Sequence, residues 1–328
     1  MRKNVIDAGG GVAEEQAWQE YWAGGDGGDA VGGPQRRKLA AHWAGLFTSK
    51  PDAPQHPLVV DIAAGRGAAL KGVMEALAHR GRFLALDFSP AAVRSAGAEL
   101  PGIIAAAADA ARLPLADHSV DAAISQFGIE YAGLPAFSEA ARIVRPGGQF
   151  CSISHYRGGA IDAECAENER LLLLVGQGGL LSAARATLDA SFAARSQGSA
   201  NPLDARLEAV FASAFVHAKK AVDDAPPSAA RATLDRFLGD LMRLLARRIA
   251  YEAKDALGWI EGMKASLDAY LRRMQSMRAS ALGADEVADV ERRFSAAGLG
   301  DFRAEPLRLE DNKAPAAWVI EARRPPRA

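Results

Sequence analysis

The chain has 328 residues, 49% hydrophobic and 24% charged, which fits one large or two ordinary globular domains with a sizeable core. Its formal net charge of −1 argues against a dedicated nucleic-acid binder or a binder of anionic membranes. Cys151 and Cys165 form neither a CxxC motif nor a disulfide framework. The N-terminus lacks a signal peptide's apolar stretch, and no apolar run approaches a membrane span, so a cytoplasmic protein with free thiols is expected.

In chain order, Glu14 to Trp22 reads as a helical turn or two rich in aromatics, and Gly24 to Gly33 as a flexible loop. A helix is expected from Gln35 to Phe47, ended by Pro51, Pro54 and Pro57. Leu58 to Val60 is a short buried strand. Asp61, Ile62, Ala63 and Ala64 lead from it into Gly65-Arg66-Gly67, and a helix follows with Leu70, Val73, Met74 and Leu77 on one face. Phe83 to Leu86 is the second strand, ending in Asp87, and Ser89-Pro90 starts the next helix as N-cap and first helical residue. Ile103 to Ala108 is the third strand, followed by Asp109, and Val120 to Ser125 the fourth. A helix from Leu134 to Val144 stops at Arg145-Pro146-Gly147-Gly148, and Gln149 to His155 is the fifth strand. This alternation predicts a parallel sheet with helices on both faces.

From about Ile161 to Ala281 strand signals cease and the periodicity is helical. Leu234, Phe237, Leu238, Leu241 and Leu245 form one apolar face, and Gly258 with Lys254-Asp255 suggests a break between antiparallel helices. Ser-Ala-Ala-Arg-Ala-Thr-Leu-Asp occurs at 182–189 and again at 228–235, each a potential helix start. A helix from Asp285 to Ala297 and strands over Phe302–Leu309 and Ala316–Arg323 close the chain. The expected organisation is an N-terminal segment over 1–57, an α/β core over 58–160 and 282–328, and a helical insertion over 161–281.

Asp61, Asp87 and Asp109 stand at the carboxyl ends of the first three strands, where open parallel sheets bind ligands. Gly65 and Gly67 permit a sharp turn and close approach of a ligand, and the following helix start offers free N–H groups. An acid after the second strand can accept from both ribose hydroxyls, one after the third from an adenine amino group, and Asp61 can orient the turn or meet an ammonium. That set suits a nucleoside with an amino-acid tail. The dinucleotide fingerprint fails on spacing, which counts against a nicotinamide dehydrogenase.

These segments resemble those of class I S-adenosylmethionine-dependent methyltransferases of the ubiquinone/menaquinone-methyltransferase-like group. Val60-Asp61-Ile62-Ala63-Ala64-Gly65-Arg66-Gly67 is similar to that group's glycine motif, Leu86-Asp87-Phe88-Ser89-Pro90 to its ribose segment, Ala108 to Asp121 to its adenine segment, and Arg142 to Gly148 to its turn into strand five. The resemblance implies a seven-stranded, mostly parallel Rossmann-like sheet with an antiparallel last strand. It implies S-adenosylmethionine as cofactor, with Asp61, Ala63, Gly65 and Gly67 around the methionine part and Asp87 on the ribose. Phe88 would pack on the adenine, Asp109 and Ala110 contact its edge, and Ser125 and Gln126 lie near the sulfonium. The family usually has glycine where Ala63 stands, and alanine is tolerated there if the backbone angles are ordinary. The insertion lies outside the resemblance.

Methyl transfer needs positioning, and a base only where the acceptor loses a proton. His155, which ends strand five, and Tyr131, which follows strand four, are the candidates. Trp18, Tyr21 and Trp22 read either as a lid over the cofactor or as a helix packed on the domain, and Asp121 as a capping or strand-start residue. No histidine pattern has metal spacing, so no metal is expected. The expected function is methyl transfer to a small-molecule acceptor, hydrophobic or amphipathic, with the insertion capping its pocket. The alternative is a non-catalytic cofactor-binding or scaffold protein that oligomerises through the insertion.

Overall fold

The structure, a computed structural model, describes residues 18, 21–22, 33–48, 55–198, 205–310 and 314–327. The glycine stretch up to Gly32, Pro51, Pro54, residues 311–313 and most of the segment 14–22 lie outside them.

A seven-stranded sheet in the order β3-β2-β1-β4-β5-β7-β6 forms the α/β core. Its strands are β1 (Leu58–Ile62), β2 (Arg82–Asp87), β3 (Ile104–Ala107), β4 (Val120–Gln126), β5 (Val144–His155), β6 (Gly300–Leu307) and β7 (Ala317–Arg323). β1 to β5 pair in parallel, while β7 runs antiparallel to both β5 and β6. The expected fold class therefore holds. Strand order reverses between β1 and β4, which opens a crevice beyond their carboxyl ends.

Helices cover both faces because alternate residues of the central strands are apolar on both sides. α1 (Gly33–Thr48) and α2 (Ala68–Ala76) bury Leu39, Trp43, Leu46, Leu70 and Val73 against Val59, Ile124 and Ile153. α3 (Pro90–Glu99) starts as expected, with the Ser89 hydroxyl accepting the Ala92 N–H at 3.4 Å and Pro90 at N1. On the other face α4 (Leu134–Ile143) places Phe137 beside Phe150 and Phe294. β5 begins earlier than expected and takes in Arg145 to Gly148. The Arg324 guanidinium donates to the carbonyls of Ala141, Val144 and Ala297 and so fastens that start. Asp121 is structural: its Oδ2 accepts the Leu58 N–H at 2.8 Å and its carboxylate pairs with Arg145.

Among the described residues five α-helices separate β5 from the closing elements: α5 (Ala160–Gln177), α6 (Leu180–Ser196), α7 (Ala205–Asp224), α8 (Ala229–Ala246) and α9 (Ala253–Ser280). α10 (Ala284–Ala296) follows them. The chain divides into two compact units, Met1–Ala163 with Ser276–Ala328, and Glu164–Gln275.

Within the second unit α6 packs on α7 and α7 on α8, and Leu234, Phe237, Leu238, Leu241 and Leu245 are all buried. The break between the last two long helices is a short 3₁₀ turn at Arg248–Ala250, and Gly258 lies inside α9. One helical glycine costs only about 1 kcal/mol, too little to end a long apolar helix. Of the two octapeptide repeats only the second starts a helix: Ser228 caps α8 through the Arg231 N–H, whereas Ser182 lies inside α6, whose N-cap is Gly179. Residues 160–196 include a stretch apolar enough for a membrane span by length and composition, against expectation. Gly178 and Gly179, the latter at φ 72°, divide it into two helices.

Candidate cofactor and acceptor site

The site begins where β1 ends. Asp61 is 1% exposed, and among the described residues neither carboxylate oxygen has a hydrogen-bond partner. Burial pushes its pKa up to about 8, and the nearby Asp87 charge adds to the rise; the Leu70 N–H in the first turn of α2, although outside the geometry of a formed hydrogen bond, offsets part of it. A buried carboxyl without a partner is costly, and a bound cationic group would relieve it.

Ala63 comes next, at φ 54°. The condition under which alanine is tolerated here, ordinary backbone angles, is therefore not met: this alanine occupies the left-handed region that glycine adopts without strain. Room for its Cβ is made by Gly128, where a Cβ would lie 2.7 Å from Ala63 Cβ and 2.5 Å from its carbonyl oxygen. Two outcomes follow. Ala63→Gly should stabilise the fold by about 0.5–1 kcal/mol, the relieved strain minus the greater chain entropy of glycine, read as a higher denaturation midpoint. Gly128→Ala should cost about 1–3 kcal/mol in the same measurement, because the clash is with backbone.

Gly65 and Gly67 both have positive φ, 55° and 81°, and close the turn into α2. Asp87 shapes that turn from β2. Its Oδ2 accepts the Gly65 N–H and its Oδ1 the Ser89 N–H, both at 2.8 Å. Burial raises its pKa while these two donors lower it. A carboxylate offers about four acceptor sites, so Asp87 retains capacity for ribose hydroxyls. The ring of Trp22 lies against Gly65, its Cη2 being 2.8 Å from where a Cβ would stand. Phe88, next to Asp87, is 48% exposed although aromatic. Asp109 is exposed, with Oδ1 accepting the Ala111 N–H at 2.8 Å, and Ala110 is buried beneath it. Arg142 holds the chain beyond, donating to the carbonyls of Leu113 and Leu115 and pairing with Asp117 and Glu139.

The orphaned Asp61 carboxyl, the glycine turn tied to Asp87 and the bare Phe88 ring fit a cationic amino-acid tail, a ribose and an adenine. The remaining two predicted cofactor residues have their side-chain oxygens occupied within the protein. The Ser125 hydroxyl, fully buried, donates to the Ile62 carbonyl at 2.7 Å and accepts the Ile129 N–H at 3.0 Å. It thereby locks the end of β1 to the turn after β4. Gln126 Oε1 accepts the Trp43 indole N–H at 2.7 Å, which ties α1 to the same place.

The two candidate catalytic residues do meet. His155 is 4% exposed, with the rings of Phe127 at 4.6 Å and Tyr131 at 5.8 Å. Trp18 extends this wall, 5.2 Å from Tyr131, and its indole N–H donates to Ser276 Oγ at 3.4 Å. The residue not foreseen is Glu130. It is 3% exposed, and its Oε1 lies 2.8 Å from both the His155 backbone N–H and His155 Nδ1. Its other oxygen has no partner among the described residues. In the tautomer with its proton on Nδ1, that nitrogen donates to Glu130 and Nε2 is left as the acceptor. The available signal was an acid placed directly between Ile129 and Tyr131 after strand four, but nothing local pairs it with a histidine 25 residues on.

Residues 60–152 match the family model described as a methyltransferase domain. The chain is 34% identical over 124 residues to the demethylmenaquinone methyltransferase of Thermobifida fusca, spanning 35% of this chain and 51% of that one. It is 33% identical over 109 residues to the enzyme of the same name from Renibacterium salmoninarum, spanning 33% and 45%. The chain thus spans about half the length of the curated relatives it matches. A solved complex of the Haloferax volcanii Trm112 methyltransferase activator with a methyltransferase is similar at 29% identity and a TM-score of 0.35, over 44% of this chain and 60% of that one. The α/β core thus carries, over residues 60–152, a match to a methyltransferase domain, and its similarity to the demethylmenaquinone methyltransferases extends over about a third of the chain.

Proposed function

We propose that the protein methylates a small-molecule acceptor that loses a proton as it is methylated. The buried, unpartnered carboxyl of Asp61 beside the glycine turn is the observation that carries the cofactor half of this reading. When bound, S-adenosylmethionine supplies an electrophilic methyl group. Asp61 meets its ammonium, Asp87 its ribose, and Phe88 and Asp109 its adenine.

His155 Nε2 takes the acceptor's proton. Glu130 holds the ring in that tautomer and stabilises the imidazolium that forms, a role in which a positioned carboxyl is effective because both groups are buried. Phe127, Tyr131 and Trp18 supply aromatic surface beside the histidine. That wall favours a flat, largely apolar acceptor with an acidic O–H or C–H. Demethylmenaquinone, the compound in the Thermobifida relative's name, is flat and largely apolar.

Calorimetric titration of the full chain with S-adenosylmethionine tests the first half. Saturable one-to-one binding is expected, and its absence would sink the reading. Screening quinols and other phenolic acceptors for conversion of the cofactor to S-adenosylhomocysteine tests the second. Turnover confined to acceptors that lose no proton would exclude His155 as base.

A further inference from the structure

On the face of the sheet covered by α1, three potential metal ligands converge from elements far apart in sequence. His42 lies on α1, Cys151 in the middle of β5, and Glu321 on β7 directly opposite Cys151 in the antiparallel register. His42 Nε2 is 3.4 Å from Cys151 Sγ, Cys151 Sγ is 4.0 Å from a Glu321 carboxylate oxygen, and one ligand atom from each lies within 4.8 Å of the other two. Cys151 is fully buried, while His42 and Glu321 are half-buried. Glu321 forms no ion pair among the described residues, although it stands in a strand of otherwise mostly apolar inward residues.

We propose that His42, Cys151 and Glu321 form a binding site for a single divalent zinc-type cation. The donor set of one thiolate, one imidazole and one carboxylate is borderline-soft, which suits Zn²⁺ or Co²⁺ and not Mg²⁺ or Ca²⁺. Metal–ligand bonds of about 2.0–2.3 Å at tetrahedral angles place ligand atoms about 3.4–3.6 Å apart. The His42–Cys151 separation already has that value, and the Cys151–Glu321 separation needs to close by a few tenths of an ångström. Three protein ligands leave the fourth position to water.

Binding converts the Cys151 thiol to thiolate and releases its proton to solvent, while the imidazole enters neutral. Burial already lowers the pKa of His42 and so favours the neutral, ligating form, although the Glu321 charge opposes this. The residues that fix the ligands are in place. Trp43, beside His42 on α1, is fully buried and bonded to Gln126, and Cys151 and Glu321 are paired rungs of one ladder. A bound cation would staple α1 to the antiparallel end of the sheet. This site is separate from the cofactor crevice, so its test does not depend on the proposed reaction.

The full chain, purified free of metal, is titrated with Co²⁺ and then Zn²⁺. The expected result is one equivalent of cobalt with a thiolate charge-transfer band and tetrahedral d–d absorption, displaced by zinc, together with a melting temperature raised by zinc. Cys165→Ser should leave both signals intact. Cys151→Ser should remove the band, and Glu321→Gln and His42→Gln should each weaken cobalt binding at least tenfold. The two half-buried positions keep the test informative should the buried Cys151 variant fail to fold. Absence of the band in wild type, or a band lost in Cys165→Ser and retained in Cys151→Ser, overturns the proposal and leaves a simple hydrogen-bonded cluster.

Discussion

Replacing Asp61 by Asn is expected to make the cofactor-free protein more stable while weakening S-adenosylmethionine binding about 10- to 150-fold. The two effects share one cause. Asp61 is buried with neither oxygen partnered, so its pKa stands at about 8 in the fold against 3.8 for an exposed aspartate. Between about pH 4 and pH 8 the folded state therefore holds a proton that the unfolded chain has released. With the pKa raised, the contribution to stability is complete below about pH 4 and declines as pH rises to about 8. Linkage sets a ceiling of about 6 kcal/mol on that decline, and relaxation of the site makes about 1–3 kcal/mol the expected gain for Asn at alkaline pH. Urea denaturation across pH 5 to 9 reads it directly: the wild-type curve should fall and the variant curve should flatten.

In the complex the sign reverses. An ammonium against Asp61 favours the carboxylate, and losing one charge-assisted hydrogen bond costs about 1.5–3 kcal/mol of affinity. Binding near neutral pH should also release close to one proton. Calorimetry in buffers of differing ionisation enthalpy measures that number. Unchanged affinity in the variant with no proton released would remove Asp61 from the binding site.

The second large effect is expected at the Glu130–His155 pair. With an acceptor identified by screening, His155→Ala should lower kcat by about 10²- to 10⁴-fold, the usual contribution of a positioned base. The dissociation constant of the cofactor should stay within a few-fold of wild type, and added imidazole should restore part of the rate. Glu130→Ala should lower kcat in the same direction. It should also destabilise the fold by about 1–3 kcal/mol, because the buried His155 backbone N–H loses its acceptor. A His155 variant with wild-type kcat would show that the acceptor needs no base, or that another group provides it.

Much of the α/β core was legible in the chain because its signals are local. The first three strands are short apolar runs, each followed by an acid, and the helix after the first repeats its apolar positions every three to four residues. Right-handed crossovers then leave little freedom for a strand-helix alternation, so the parallel sheet follows. The glycine turn was legible for the same reason: Asp61, Gly65, Gly67 and Asp87 lie at the ends of their own strands or in the turn that follows. Helix breaks in the second unit were read less well, because Gly258 carries a local signal that burial of residues such as Ile260 and Leu267 in α9 overrides.

What the chain could not show was every feature made by two distant segments. Ala63 reads as a small residue where the resembled family prefers glycine, and only the fold shows it at φ 54° packed against Gly128. Ser125 reads as a pocket residue, yet its hydroxyl is consumed between Ile62 and Ile129. Glu130 finds His155 only because β4 and β5 are neighbours in the sheet. His42, Cys151 and Glu321 have no metal-like spacing, and it takes α1 folded over the β5–β7 pair to bring them within reach. The amino-acid sequence by itself determined the sheet and the cofactor turn, because backbone propensity and apolar period act over a few residues. Tertiary structure decided the Glu130–His155 pair, the strained turn and the buried ligand cluster, because burial and pairing of polar groups depend on which strands lie side by side.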